Sequence, residues 1–266
     1  MKNYLNSEFS RAWRSYRWLI GMALVLLLMT FGAYPVLILH VSMDLQTAHP
    51  SFADIWYSSY RFSMLALTIG LIGVIPYADS LAVDRDEGTI YYLSFRNSYK
   101  KYLFSKFLIN ALMSFFTVFV SLALFYLICN LIAPRNIFIH GTWLCYGYSP
   151  AYGLLEELYK NSPDIFILIT SSLASLMAAL YATLGMAIGL ISKNRYLPWA
   201  LPVAIYLGSH FISYKTRTLG PEWSPVNAVN GYSYLYLSEI YLHPLAMFCL
   251  IFLILTLFRE RSKILG

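Results

Sequence analysis

Charge is scarce in this chain. Of its 266 residues only 12% are Asp, Glu, Lys or Arg, about half the share of an ordinary soluble domain, which carries roughly 25%. The deficit is uneven, because the charges collect between long apolar runs and 59% of the residues are apolar. That pattern excludes a soluble globular domain and predicts an all-α integral membrane protein. Cysteine is scarce too. Cys129, Cys145 and Cys249 form no CxxC pair; a bridge between Cys129 and Cys145 is open, and unpaired apolar thiols are the simpler reading. A phosphate loop of the form G-x-x-x-x-G-K-[S/T] is missing, so the chain lacks the usual cradle for nucleotide phosphates. None of the five histidines (His40, His49, His140, His210, His243) sits in an HExxH or another close ligand pair, and no metal site is expected. A leader peptide is not expected either: the first 17 residues are too polar and too long to precede a cleavage site.

What remains is apolar sequence in span-sized pieces. A hydrocarbon core of about 30 Å takes roughly 20 residues of helix. Six segments meet or approach that length: Trp18–Leu39, Phe62–Val83, Phe107–Ile132, Ile165–Ile191, Tyr196–Ile212 and Ile240–Phe258. The fifth is short and carries Pro198 and Pro202 near its start, which predicts a kink. Fourteen of the 19 Lys and Arg fall on one side of a six-span topology. By the positive-inside rule that side is cytoplasmic, and it holds both termini. The net charge of +6 is therefore read as topology rather than as a nucleic-acid surface. No connection is long enough for a separate soluble domain, so residues 1–266 form one membrane domain. Before the first span, Phe9, Trp13 and Tyr16 recur at i, i+4 and i+7 with Arg11, Arg14 and Arg17 interleaved. This suits a helix lying in the headgroup plane.

One insert breaks the apolar pattern. Between spans two and three the chain reads DRDEGTIYYLSFRNSYKKYLFSKFL, residues 84–108. Three acids lead to Gly88 and Thr89, and Thr89 can cap a short helix through Ile90, Tyr91, Tyr92, Leu93 and Phe95. A turn follows near Asn97 and Ser98, and Lys100, Lys101 and Lys106 open the third span. Exposed Tyr, Leu and Phe on the cytoplasmic side call for lipid or a partner to cover them.

The series Asp84, Arg85, Glu87, Gly88, Thr89, then Ser98, Tyr102 and Lys106, resembles the permeases of ABC type-2 exporters. Asp84 stands where Glu is usual, and Ser105 stands where Gly usually precedes the lysine. Six spans, internal termini, a leading amphipathic helix and an insert after span two resemble the same family. The resemblance implies a coupling helix that sits in a cleft of a separate ABC ATPase, with Asp84, Arg85, Glu87, Gly88, Thr89, Tyr91, Tyr92, Phe95 and Arg96 as the coupling residues. Glu87, Arg96 and the aromatics of Tyr91 to Phe95 make the contact and Gly88 permits the turn. It further implies two ATPase copies carrying ATP and Mg, a second permease chain, identical or homologous, and no cofactor on this chain. A membrane scaffold that recruits a cytoplasmic protein without transport is the alternative.

Within the spans, Asn110, Ser114, Thr117 and Ser121 make a polar stripe on span three, suited to a substrate path or to interhelical hydrogen bonds. Gly185 and Gly189 form a G-x-x-x-G in span four, suited to close packing inside the bundle or across a dimer. No span carries a charge near its centre, which disfavours ion-coupled transport and fits an amphipathic substrate: a peptide, an antibiotic or a lipid-like molecule. In the last outer loop, Asn227 to Leu237 could form a re-entrant piece or an interfacial Tyr belt. Glu156 and Glu157 resemble the paired glutamates of CAAX-type intramembrane proteases, but Asn161 replaces the arginine of that motif and the pair falls in an outer loop.

Overall fold

A computed structural model describes residues 2–42, 51–88, 99–133, 156–192, 194–216, 223–230 and 238–264. Every regular element among them is a helix. In chain order they are α1 (Lys2–Arg14), α2 (Arg17–Ser42), α3 (Phe52–Phe62), α4 (Leu65–Val74), α5 (Ser80–Asp86), α6 (Tyr99–Ile132), α7 (Glu156–Asn161), α8 (Pro163–Ile191), α9 (Leu197–Thr216), α10 (Pro225–Asn230) and α11 (Ser238–Ile264). Among the described residues three helical stretches are long and apolar enough to cross a bilayer: Arg17–Tyr34, Lys101–Ile132 and Pro163–Ile191. Leu65–Val74, Leu197–Ser213 and Leu242–Thr256 are apolar but shorter.

The expectation of one continuous helix over Phe62–Val83 is corrected. That stretch is divided among the end of α3, all of α4 and the start of α5. The first break lies at Met64, whose φ of 54° is left-handed, a conformation costly for a residue with a side chain. The second lies at residues 75–79, where Pro76 has no N–H to continue the ladder. Upstream, α3 begins cleanly. Ser51 accepts from the Asp54 amide while the Asp54 carboxylate accepts from the Ser51 amide, a reciprocal cap. Helix α6 begins eight residues before the expected start of span three and runs for 34 residues, about 51 Å at 1.5 Å per residue.

The corner between α1 and α2 is set by aromatic contacts. Tyr16 takes a left-handed φ of 54°, Trp18 Nε1 donates to the Trp13 carbonyl at 2.9 Å, and the two indole rings stack at 4.4 Å. Glu8 and Ala12 face inward, while Phe9, Trp13 and Tyr16 face outward.

Helix α8 is the axis of the bundle. It packs against α4, α6, α9 and α11, and 61% of its span-length stretch is buried, against 28% for Arg17–Tyr34. Small side chains make this possible, because Ala174, Ser175, Ala178, Ala182 and Gly185 all lie in its buried face. The fit is tightest at Gly73 of α4, where a Cβ would stand 2.4 Å from the Ala178 carbonyl oxygen. The outer surfaces of α2 and α6 stay apolar: Leu27, Phe31, Phe116 and Leu131 are all more than half exposed. Cys129 is a buried free thiol. Cys145 lies outside the described residues.

Candidate functional site

The root of the charged insert is buried. Helix α5 carries Asp84 into the interior, where its side chain is fully enclosed. Three donors converge on this carboxylate: Lys106 Nζ and Tyr102 OH from α6, and Arg11 Nη1 from α1. Lys106 is fully enclosed as well, donates to the Ser80 carbonyl at 2.9 Å, and stands 3.8 Å from Glu8 Oε2. Tyr77 OH donates to Glu8 at 2.6 Å. The rings of Tyr77 and Tyr102 lie 5.5 and 5.4 Å below the ammonium, a double cation–π contact. A second pair, Arg17 to Asp79 at 2.7 Å, ties the start of α2 to the same turn. The result is a network of alternating sign that joins α1, α5 and α6 at one end of the bundle.

Such a cluster is built by compensation. A carboxylate taken out of water is expensive unless opposite charge and hydrogen bonds surround it. Burial, the largest influence on Asp84, pushes its carboxyl upward; Lys106, Tyr102 and Arg11 together outweigh it and hold the group below the usual carboxylate range. A folded-state value below the unfolded one means that the stabilisation is full above the unfolded value, about pH 3.9, and is lost as pH falls through the lower folded value. Acid melts in detergent should therefore show the wild type losing the benefit of Asp84 only below about pH 4, with an Asp84→Asn variant flatter across that window.

The other motif residues separate into described and undescribed. Arg85 points away from the cluster and donates to the Gly189 carbonyl at 3.0 Å, capping the end of α8. Glu87 is exposed and lies 3.8 Å from Arg11. Gly88 has a φ of 75°, a left-handed turn that glycine enters without strain. Thr89, Tyr91, Tyr92, Phe95 and Arg96 lie outside the described residues. Of the described residues of the motif, Asp84 is enclosed within the chain, whereas Glu87 is exposed.

Asn110, Ser114, Thr117 and Ser121 are all buried between helices. Ser114 Oγ donates across to the Gly73 carbonyl at 2.7 Å, whereas Thr117 and Ser121 donate back to Met113 and Thr117 of their own helix. Gly185 packs within the chain, where a Cβ would stand 2.5 Å from the Pro198 carbonyl oxygen, while at Gly189 the nearest atom is Pro198 Cγ at 3.4 Å. Asn227 belongs to α10, and 231–237 lie outside the described residues.

Sequence reasoning missed Glu8, Tyr77 and His243. Glu8 offered a signal, as the lone acid on an otherwise basic helix. His243 sits in the interior, with Nδ1 at 3.0 Å from the Trp223 carbonyl and Nε2 at 2.7 Å from Tyr181 OH. A carbonyl can only accept, so Nδ1 carries the proton and Nε2 accepts from the tyrosine. Among the described residues no group of three or more His, Cys, Asp or Glu could hold a metal ion. Comparisons of the chain with protein-family models, with curated proteins and with solved structures give no match.

Proposed function

We propose that this chain is the membrane permease subunit of an ABC type-2 exporter, working with a separate ATPase. The observation that carries the reading is the acid–Arg–acid–Glu–Gly–Thr series that opens the charged insert, whose first residue, Asp84, is held in a buried ion network with α1 and α6. A force applied to the insert would reach α6 through Lys106, α8 through Arg85 and α1 through Arg11, because each is bonded to α5 or its edge. That is what a coupling element needs, since a soft joint would dissipate the stroke. The exposed aromatics and arginines of α1 support its assignment as an interfacial helix. On this reading the three shorter apolar helices belong to the remaining spans of a six-span domain with both termini cytoplasmic. Two ATPase subunits would bind ATP and Mg, and a second permease chain would complete the path for an amphipathic substrate.

The test is co-purification from native membranes. The wild-type chain should bring down a phosphate-loop ATPase, and a Glu87→Lys/Tyr92→Ala variant with an unchanged melting temperature should lose it. An ATPase retained by the variant, or none recovered with the wild type after gentle extraction, would move the scaffold reading ahead.

A further inference from the structure

The second break in the divided helix lies beside a buried polar side chain that finds no hydrogen-bond partner among the described residues. In the turn at 75–79 the amides of Ile75, Ala78 and Ser80 donate to Ile72, Val74 and Tyr77, and among the described residues the carbonyls of Ile75 and Pro76 receive no backbone donor. Helix α6 runs antiparallel past this turn, with its register pinned at two points. Ser114 Oγ meets the Gly73 carbonyl at 2.7 Å and Lys106 Nζ meets the Ser80 carbonyl at 2.9 Å. Asn110 lies one helical turn from each pin on the same face of α6, so it stands opposite Pro76 and Tyr77.

Asn110 is fully buried, and neither its amide oxygen nor its amide nitrogen meets a hydrogen-bond partner among the described residues. Ser80 Oγ, at the far edge of the same turn, is also buried and without a partner. A primary amide taken out of water without compensation is strongly disfavoured, and two such groups beside unengaged carbonyls are rarer still. The set contains donors and acceptors together: the Asn110 NH₂ and the Ser80 hydroxyl give, while the Asn110 oxygen and the turn carbonyls take. A sodium ion is disfavoured by the Lys106 ammonium one turn away. Ile109, Met113 and Tyr77 belong to one apolar cluster flanking the site, and this enclosure selects for something very small.

We infer that Asn110, Ser80 and the 75–79 turn form an internal hydration site that holds an ordered water at the joint of the broken second span. A single water with two to four polar partners is the usual occupant of such a place. It also gives the joint a mechanical character: the Ile75 and Pro76 carbonyls of the turn can exchange partners through the water as α4 and α5 change angle, without exposing bare backbone to an apolar interior. The inference stands apart from the exporter reading.

Radiolytic footprinting of the purified full-length chain tests it, because millisecond X-ray exposure generates hydroxyl radicals from bound water in place. Met113 and Tyr77, each 4% exposed, should oxidise several-fold faster than Met29, which is fully buried in the other apolar cluster. Asn110→Leu should suppress that labelling and lower the melting temperature, since the turn and Ser80 lose their bridge. Ser80→Ala should act in the same direction more weakly, and it carries both readouts if Asn110→Leu does not fold. Labelling no faster than at Met29, or a rise in melting temperature on Asn110→Leu as expected for deleting an unmet amide from a dry interface, overturns the proposal.

Discussion

Replacing Lys106 with Met should be among the most damaging single changes in this protein. The ammonium is fully enclosed, and its removal leaves Asp84, also fully enclosed, with only Arg11 and Tyr102. Breaking one side of a buried pair costs roughly 3–5 kcal/mol, which for a chain of this size is a fall in melting temperature of roughly 10 °C. The size of the side chain is nearly kept, so packing loss is a minor part of the effect. Adding Asp84→Leu to Lys106→Met should recover much of the loss, because a hydrophobic pair of similar volume replaces an ionic one at little net cost. The measurement is a thermal melt of the single and double variants in one detergent. A double variant no more stable than the single would mean that the charge network is incidental to stability.

The second large effect separates the two glycines of the G-x-x-x-G. Gly185→Ala places a methyl 2.5 Å from the Pro198 carbonyl oxygen. A backbone atom cannot swing aside, so α8 and the start of α9 must part. Overpacking of this kind costs about 1–3 kcal/mol and sometimes more. Gly189→Ala meets only Pro198 Cγ, at the 3.4 Å of ordinary van der Waals contact, and gains helix propensity worth up to about 1 kcal/mol. Thermal melts of the two variants should therefore move in opposite directions. If both fell equally, the motif would be packing against something other than Pro198. A second copy of the chain would then be the first candidate.

The sequence exposed the parts of this fold that depend on composition and spacing. Long apolar helices at α2, α6 and α8 follow from uninterrupted runs, and the close packing of α8 was signalled by the G-x-x-x-G of Gly185 and Gly189. Helix α1 and its outward Phe9 and Trp13 followed from the same kind of periodicity, whereas Tyr16 falls in the left-handed corner beyond it. The divided second span was less legible. Pro76 was in view, but the left-handed turn at Met64 has no local cause in its residue type; it is imposed by how α3 and α4 meet their neighbours. The candidate site was harder still. Asp84, Arg11 and Lys106 are each visible as charges flanking the apolar runs, yet the separation of 73 positions between Arg11 and Asp84 hides that they meet. Spacing rules describe neighbours along a helix, whereas this network is made between helices. The contribution of Glu8 is of the same kind, since its partner Tyr77 is 69 residues away.

The enclosure of Lys106 also bears on how the chain acquires its orientation. A cation steers membrane insertion only while it is still in contact with water, headgroups and the insertion machinery. In the finished fold Lys106 has no surface left, whereas Arg11 keeps much of its side chain exposed beside Asp84. Any vote that Lys106 casts on topology is therefore cast by the nascent chain, before the carboxylate arrives to silence it.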